Sequence, residues 1–298
     1  MSFSSDIKNE LTALANESPC CDAAQLYGMA EFGRAFSLSG IALQTENEGA
    51  AVRYTALMQS VCNAKAVHTA PPADKPGMHT VTVDKAQCER VFDRFGHGKK
   101  AVSLRINRAM LDCEQCAAAF VRGVFLVCGA ITNPQVDYHL EFSAPYLNLG
   151  RDLATLLAEM GLHPRMVQRK GNYVVYFKES EQIEDCLTLM GAMGASLELM
   201  NVKLIKSIRN DVNRKANCEN ANIDKTVAAA LVQTEAVRKI EQCVGLEALP
   251  EDLRELCRLR LENPDFSLRA LGESLNPPIS RSGVNHRFQR ILEIAESL

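Results

Sequence analysis

The sequence predicts an α+β fold in which a duplicated α/β region precedes a small all-helical domain. The order helix, strand, helix, hairpin, helix occurs twice before residue 195. After that point the composition becomes basic and rich in Asn, and only helical periodicity continues to the end of the chain. Each α/β unit is expected to cover one face of its sheet with helices and to expose the other. A chain of 298 residues is long for one core, which also favours several domains.

The first α/β unit follows a short amphipathic helix that Pro19 ends. In the next helix Leu26, Tyr27 and Ala30 recur at helical spacing, and Gly28 and Gly33 are placed so that another helix can approach closely. Helices are predicted for residues 5–16, 22–35, 48–63 and 85–95, and strands for residues 37–45, 66–69 and 79–83.

The second unit repeats this order with a clearer hairpin. Lys170 and Gly171 separate two runs that alternate apolar and polar residues, which is typical of a turn between antiparallel strands. Helices are predicted for residues 114–129, 147–160 and 183–190, and strands for residues 138–142, 166–169 and 172–177. The similarity of the two units indicates an internal duplication.

A basic junction follows at residues 203–222. Five basic residues stand against the single acid Asp211 between Lys203 and Lys215, and Asn recurs through the same region. Two interpretations stay open: an extended strand leading into a linker, or a basic segment that lies on phosphate. The candidate phosphate contacts are Lys203, Lys206, Arg209, Arg214 and Lys215.

The remaining residues predict helices at 223–244 and 250–262, followed by two helices around a proline-containing turn. Asn276-Pro277-Pro278-Ile279 ends the first of these, because proline lacks a backbone donor and restricts the preceding residue. Ser280 is placed to cap the second, whose packing face is Val284, Phe288, Ile291, Ala295 and Leu298. This pattern predicts a helix-turn-helix, and a helical hairpin that closes a bundle is the alternative.

The other side of the last helix suits a DNA major groove. From residue 280 to 290 the sequence has three arginines and no carboxylate. Asn285 and Gln289 are candidates for adenine edges, Arg281 and Arg290 for guanine edges or phosphate, and the others for positioning contacts. The full candidate set is Ser280, Arg281, Ser282, Asn285, His286, Arg287, Gln289 and Arg290.

The net charge and the distribution of apolar residues exclude several classes of protein. A formal net charge of −3 disfavours a chain that coats nucleic acid non-specifically, although a local basic patch remains compatible with it. The sequence has no apolar run long enough to cross a bilayer and no apolar signal core at its start. We therefore expect a cytoplasmic, nucleoid-associated protein with no membrane partner, whose 11 cysteines stay reduced and mostly fill core positions.

Three stretches carry a resemblance to a known family. They are YHLEFSAPYLNLGRDLATLLAEMGL with RKGNYVVYFKESEQI, the junction RNDVNRKANCENANIDKT, and SLRALGESLNPPISRSGVNHRFQRILEIAE. The sequence resembles the WhiA family of Gram-positive transcriptional regulators over nearly its whole length. That resemblance implies a duplicated LAGLIDADG-like αββαββα region, a pseudo-twofold saddle, followed by a helix-turn-helix domain. It implies boundaries at residues 1–105 and 106–202 for the repeats, 203–222 for a basic linker and 223–298 for the DNA-binding domain.

The resemblance also implies a function. Family members regulate transcription in connection with cell division, chromosome segregation and sporulation. The expected partner is double-stranded promoter DNA, and another transcription factor and RNA polymerase are candidate protein partners. The sequence does not define an oligomeric state.

The motif helices of the LAGLIDADG-like region lack the acids that cleavage requires. In LAGLIDADG proteins, glycines pack the two helices together and an acid near each helix end binds a divalent metal. The second motif, FVRGVFLVCG, keeps the packing glycines Gly123 and Gly129, but Leu126 and Cys128 stand where the family has acids. The first motif, LYGMAEFGR, keeps an acid only at the earlier position.

The residue at that earlier position, Glu31, is expected to be a helix-interface or surface residue, and Gly33 occupies the metal-binding position. Hard cations such as Mg²⁺ need oxygen ligands, which glycine and cysteine do not supply. The sequence therefore predicts no catalytic residue, no metal, no cofactor and no enzymatic activity.

Two rival functions and one rival site remain. The rival functions are an active metal-dependent DNA endonuclease and an interaction scaffold whose LAGLIDADG-like region binds a protein or a ligand. The rival site is zinc held by Cys113-x-x-Cys116 with Cys20 and Cys21 as distant partners, since each pair precedes a motif helix. No second C-x-x-C element accompanies them, so the sequence assigns no metal.

Overall fold

A computed structural model describes residues 2–72, 77–97 and 103–298 of the chain. Contacts divide the chain into two compact units, the first ending at Ile205 and the second comprising Lys206–Leu298. Across the described segments, no helix combines the length and the apolar character that a membrane span needs.

The first unit begins with one αββαββα repeat that follows a short helix. Its elements are α1 (Phe3–Ala13), α2 (Pro19–Glu31), β1 (Ala35–Ser37), β2 (Gly40–Thr45), α3 (Glu48–Cys62), β3 (Ala66–Thr69), β4 (His79–Val83) and α4 (Lys85–Arg94). The four strands form an antiparallel sheet in the order β1-β2-β4-β3. The strand predicted for residues 37–45 is wrong in detail, because two residues form a turn that divides the segment into a hairpin.

A second αββαββα repeat completes the first unit. Its elements are α5 (Glu114–Cys128), β5 (Gly129–Ile131), β6 (Leu140–Ala144), α6 (Leu147–Glu159), β7 (Arg165–Arg169), β8 (Asn172–Phe177) and α7 (Ser180–Met190). The sheet order β5-β6-β8-β7 repeats that of the first sheet. Lys170 and Gly171 both adopt positive φ, as the predicted hairpin turn requires. The sequence did not predict β5, a three-residue strand directly after α5.

The two repeats share one hydrophobic core, and α2 and α5 lie side by side at its centre. Each of these two helices approaches the other at a glycine. A Cβ at Gly28 would clash with the carbonyl oxygen of Phe120, and a Cβ at Gly123 would clash with that of Gln25. The duplicated fold and the role of Gly28 and Gly123 as close-contact positions are thereby confirmed. The same role predicted for Gly33 and Gly129 is wrong, because a Cβ at Gly33 would meet Met29, Ala30 and Ala42 and one at Gly129 would meet Phe125, none of them on the other motif helix.

The second unit is all helical. It contains the end of α8 (Met193–Cys243), followed by α9 (Glu251–Glu262), α10 (Leu268–Ser274) and α11 (Arg281–Ser297). Its separate core lies among these helices and includes Val237, Ile240, Leu253, Leu256, Leu271, Val284, Phe288 and Ile291.

The basic junction is helical throughout. Residues 203–222 lie within α8, a helix of 51 residues, so the prediction of an extended strand there is wrong. Asn is only a weak helix breaker, and the tertiary contacts at both ends of α8 outweigh its propensity. From residue 207 to 229 every side chain of α8 is exposed.

Candidate nucleic-acid interface

The last two helices form the predicted helix-turn-helix. Ser280 caps α11, because its Oγ accepts a hydrogen bond from the backbone N–H of Gly283 at 3.2 Å. The predicted packing face is confirmed at Val284, Phe288, Ile291 and Ala295, all of which are buried, whereas Leu298 is exposed. One face of α11 is therefore fixed against α9 and α10, and the other is open to solvent.

Gly272 sets the close approach of α10 to the turn. A Cβ at this position would clash with the carbonyl oxygen of Ile279 and would lie 3.0 Å from Val284 Cγ2. The Ile279 N–H also donates to the Gly272 carbonyl at 3.0 Å. These contacts hold α11 at a defined angle to α10, as a helix that enters a groove requires.

A buried arginine ties α9 to the connection that follows it. Arg260 is 1% exposed, and its guanidinium donates to Gln233 Oε1 at 2.9 Å and to the Phe266 carbonyl at 2.8 Å. It also lies 5.4 Å from the centre of the Phe288 ring. The sequence alone does not single out this residue, because nothing in its spacing distinguishes it from the other arginines of α9.

Seven of the eight candidate DNA contacts are exposed. They are Ser280, Arg281, Ser282, Asn285, His286, Gln289 and Arg290. At 3.6 residues per turn, Ser282, Asn285, His286 and Gln289 form one row about 100° wide, with Arg281 on one side of it and Arg290 on the other.

The eighth candidate, Arg287, is half-buried and turned toward α9. Its Nη1 donates to the Asp252 carbonyl at 3.2 Å, and its Nε lies 3.7 Å from Asp252 Oδ2. Arg290 Nη1 lies 3.8 Å from the same carboxylate oxygen. Arg287 therefore joins α11 to the start of α9.

A groove that the sequence analysis did not identify lies beside the start of α11, within the second unit. It has a volume of about 590 Å³, and no carboxylate is among its described lining residues. Lys225, Arg269 and Arg281 line it, and Asn222 and Asn285 supply amide groups. Arg269 pairs with Glu273 at 2.9 Å, so Lys225 and Arg281 supply most of the positive charge. No local sequence motif predicts this groove, because α8, α10 and α11 contribute separate parts of it.

The basic junction divides into paired and unpaired groups. Lys203 Nζ lies 2.8 Å from Glu181 Oε1 and 3.0 Å from Glu184 Oε1, and this contact lowers the pKa of Glu181 to about 2. Arg214 pairs with Asp211 at 2.6 Å. Lys203 is thus held within the first unit, whereas Arg209 and Lys215 are exposed on α8.

The sheet faces opposite the helices differ in charge. The exposed face of the first sheet carries only small or neutral side chains on its described strands, namely Ala35, Ser37, Ala42, Gln44, Val67, Thr69, Thr80 and Thr82. On the second sheet Arg165 lies 3.7 Å from Glu179, and Arg169 lies 3.8 Å from Glu141. The described sheet faces therefore present little uncompensated positive charge.

The acid of the first motif is buried rather than presented to solvent. Glu31 is 1% exposed, and its Oε1 lies 3.4 Å from His97 Nε2. Burial raises the pKa of Glu31 well above its ordinary value and lowers the pKa of His97. Both groups therefore favour their neutral forms, and a neutral carboxyl group is a poor ligand for a hard cation.

The position of Glu31 gives a pH-dependent prediction. A carboxyl group with a raised pKa stabilises the folded protein fully below the ordinary Glu pKa of about 4.3 and progressively less as pH rises toward its folded pKa. We expect Glu31→Gln to gain stability relative to the parent as pH rises from about 5 to neutrality, because the amide cannot titrate. Urea unfolding across this pH range measures the difference. Glu198→Gln, at an exposed position, is the control and should follow the parent; parallel profiles for all three proteins would contradict the assignment.

The metal-binding positions of the motifs hold no oxygen ligands. Gly33 has no side chain, Leu126 is fully buried, and burial raises the pKa of the Cys128 thiol to about 12. Within residues 2–72, 77–97 and 103–298, one group of three or more Cys, His, Asp or Glu residues has ligand atoms close enough for a metal, and it lies elsewhere. That group joins Cys20 and Cys21 to Cys113 and Cys116.

A duplicated αββαββα region and a capped helix-turn-helix in one chain define a class of helix-turn-helix proteins that carry a LAGLIDADG-like region. Residues 117–209 match the WhiA LAGLIDADG-like domain, and residues 212–295 match the WhiA C-terminal HTH domain. A relative named "Probable cell division protein WhiA" from Alkaliphilus metalliredigens is 36% identical over 315 residues, covering 99% of this chain and 98% of its own length. The chain belongs to the WhiA family.

Other relatives agree with this assignment. The Clostridium novyi protein of the same name is 36% identical and covers 100% of this chain and 98% of its own length. The Clostridium botulinum protein is 45% identical over 198 residues, covering 66% of this chain and 63% of its own length. The crystal structure of full-length DUF199/WhiA from Thermatoga maritima has a TM-score of 0.61 at 24% identity, covering 100% of this chain and 99% of that chain. That likeness supports the fold.

Proposed function

We propose that this protein is a sequence-specific DNA-binding transcriptional regulator that acts on the chromosome in cell division, chromosome segregation or sporulation. The observation that carries the proposal is the open face of α11, where a row of short polar side chains lies between two exposed arginines and includes no carboxylate. A helix-turn-helix places such a face in the major groove. The names of the relatives supply the connection with cell division.

The two kinds of side chain suit two kinds of contact. Asn285 and Gln289 can pair with adenine edges, since an amide donates to N7 and accepts from the N6 amino group of adenine. Arg281 and Arg290, on opposite sides of the polar row, suit phosphates on the two sides of the groove, and guanine is their alternative partner. Ser280, Ser282 and His286 remain positioning contacts in this proposal. Arg287 acts through its contact with Asp252, which holds α11 in place.

Positive charge beside α11 extends the proposed interface. Lys225, in the groove at the start of α11, is a further candidate for a DNA phosphate, and Arg269 is another when its pair with Glu273 opens. Arg209, Lys215 and Lys206 on α8 are further candidates for contacts with DNA phosphates. Arg214 is another when its ion pair with Asp211 opens. Lys203 contributes less, because two carboxylates already neutralise it.

Selection from genomic fragments tests the proposal. Full-length protein should enrich a shared sequence from fragments of the host chromosome at moderate salt, concentrated in promoter regions. Enrichment no greater than the input, even at low salt, would contradict it and would favour an interaction scaffold. The neutral face of the first sheet is the observation that supports that second candidate, because it offers no charge for phosphate and suits a protein surface.

The same account predicts no strand cleavage. We expect supercoiled plasmid to stay intact with this protein and Mg²⁺ or Mn²⁺, because the two motif positions supply no carboxylate that is both ionised and accessible. Agarose gels of plasmid over several hours provide the measurement. Metal-dependent nicking that copurifies with the full-length chain would restore the endonuclease alternative.

A further inference from the structure

Two cysteine pairs that are far apart in sequence meet at one point of the first unit. Cys20 and Cys21 lie in the first turn of α2, and Cys113 and Cys116 lie at the start of α5. Their four Sγ atoms all lie within 4.8 Å of one another. The side-by-side packing of α2 and α5 brings the pairs together.

Three of the distances between the sulfur atoms are close to those of a tetrahedral zinc site. Cys113 Sγ lies 3.6 Å from Cys20 Sγ, 3.5 Å from Cys21 Sγ and 3.4 Å from Cys116 Sγ. Zn–S bonds of about 2.3 Å in a tetrahedral site place neighbouring sulfurs about 3.8 Å apart. A small outward movement of each thiolate would therefore admit one metal ion. A [4Fe–4S] cluster would need its cysteines further apart, since each of its four irons binds one cysteine sulfur.

Ordinary core packing does not account for this arrangement. Cys62, Cys88, Cys186 and Cys257 are buried among apolar residues, as the sequence predicts for most cysteines. Cys113, by contrast, is exposed, yet its Sγ lies at nearly equal distances from the three other sulfur atoms. A single disulfide would also use only two of the four sulfurs.

Two helix N-termini and a hydroxyl group lie beside the cluster. The N-terminal ends of α2 and α5 both meet the cluster, and neither helix has a side-chain hydrogen bond at its N-cap. The positive ends of two helix dipoles stabilise thiolates. Ser18 Oγ lies 3.0 Å from Cys20 Sγ and 3.1 Å from Cys21 Sγ, so its hydroxyl can donate to a thiolate.

We propose that Cys20, Cys21, Cys113 and Cys116 bind one Zn²⁺ ion in a closed tetrahedral site that joins the first turns of α2 and α5. Binding replaces the thiol protons by zinc and releases them to solvent, with no change in oxidation state. Four protein ligands leave no open position for substrate, so the zinc is structural. It lies at the opposite end of the motif helices from Glu31 and Cys128, and it revises the sequence prediction that the protein binds no metal.

The ion would link the two halves of the duplication. Residues 20 and 21 belong to the first repeat, whereas residues 113 and 116 lie at the start of the second motif helix, α5. The zinc would therefore clamp α2 to α5 at one end, while Gly28 and Gly123 allow their backbones to approach further along. Metal binding and the folding of the first unit should be coupled.

Metal analysis of the untagged full-length protein tests the site. The protein should be purified anaerobically from cells grown with zinc, and its metal content measured by inductively coupled plasma mass spectrometry. We expect one zinc per chain, and its loss in the double variant Cys113→Ser/Cys116→Ser. Cys218→Ser/Cys243→Ser, at two exposed cysteines outside the cluster, is the matched control and should retain one zinc.

A measurement on the unaltered protein separates loss of zinc from misfolding of the variant. Replacing zinc by Co²⁺ should give the intense thiolate-to-cobalt charge-transfer bands and visible ligand-field bands of a tetrahedral S4 site. A mercurial thiol reagent should release the zinc in proportion to the cysteines that it titrates. Less than stoichiometric zinc in the unaltered protein, stoichiometric iron in its place, a disulfide within the cluster, or equal zinc loss from the control variant would each overturn the proposal.

Discussion

Replacing Arg281 and Arg290 together by alanine is expected to weaken binding of duplex DNA by about 100-fold, because two charge-assisted hydrogen bonds are lost at roughly 1.5 kcal/mol each. The loss should be similar for the selected sequence and for unrelated DNA, since contacts at the edges of the groove meet phosphate. The dependence of affinity on salt should also become shallower, by about one unit of slope for each phosphate contact removed. Fluorescence anisotropy with labelled duplexes over a range of salt concentrations measures both effects.

Two further variants separate the roles proposed for the residues. Asn285→Ala/Gln289→Ala should reduce affinity for the selected sequence while leaving binding to unrelated DNA nearly unchanged. Arg165→Ala/Arg169→Ala removes the same amount of charge from the second sheet and should bind like the parent, because neither arginine lies on the helix-turn-helix. A larger loss from the sheet variant than from Arg281→Ala/Arg290→Ala would mean that the LAGLIDADG-like region is the main DNA-binding surface.

Gly123→Ala is expected to destabilise the first unit by about 3 kcal/mol. The new methyl group would clash with the carbonyl oxygen of Gln25 and would lie 3.2 Å from the backbone nitrogen of Met29. Backbone atoms cannot move aside as the end of a flexible side chain can, so α2 and α5 must separate. Their separation would expose part of the core on which both repeats depend.

Tyrosine fluorescence during urea unfolding measures this effect in the full-length protein. The chain has no Trp, and all six tyrosines precede residue 177, so the signal reports the first unit alone. Gly40→Ala is the matched control, because a Cβ there meets no atom within 4 Å. We expect the control to change the free energy of unfolding by less than about 0.5 kcal/mol. Equal stability of the two variants would show that α2 and α5 do not pack at Gly123.

Most of the fold followed from local periodicity, and the exceptions have local causes. The strand predicted for residues 37–45 kept its alternation across Leu38 and Ser39, so nothing marked the turn between β1 and β2. The β5 strand is three residues long and follows α5 without a break, so its apolar residues continued the helical pattern. Both strands became recognisable only from their pairing with distant residues.

The structure of the basic junction could not be predicted for a different reason. Its Asn residues and clustered charge are typical of a linker, but residues 203–222 are helical within α8. Each Asn costs only a few tenths of a kcal/mol in a helix, which a long helix with folded structure at both ends can absorb. Composition alone therefore could not distinguish a flexible segment from a solvated helix.

Some features of the candidate interface depend on residues within one helix, and others depend on residues that are distant in the sequence. The cap at Ser280 and the two faces of α11 follow from spacing within one helix, and the sequence predicted both. The inward role of Arg287 depends on Asp252, and the positive groove depends on three separate helices, so neither could be predicted from the sequence. The four cysteines are a further example, because two pairs about 90 residues apart meet only after α2 and α5 have packed.

We expect α11 to bring this protein to particular sites on duplex DNA in the cell. Genome-wide immunoprecipitation, with the parent and Arg281→Ala/Arg290→Ala expressed at equal levels in the host, tests it most directly. The account predicts discrete peaks that share a sequence for the parent and their loss for the variant. An absence of peaks for the parent, or the same peaks for both proteins, would contradict it.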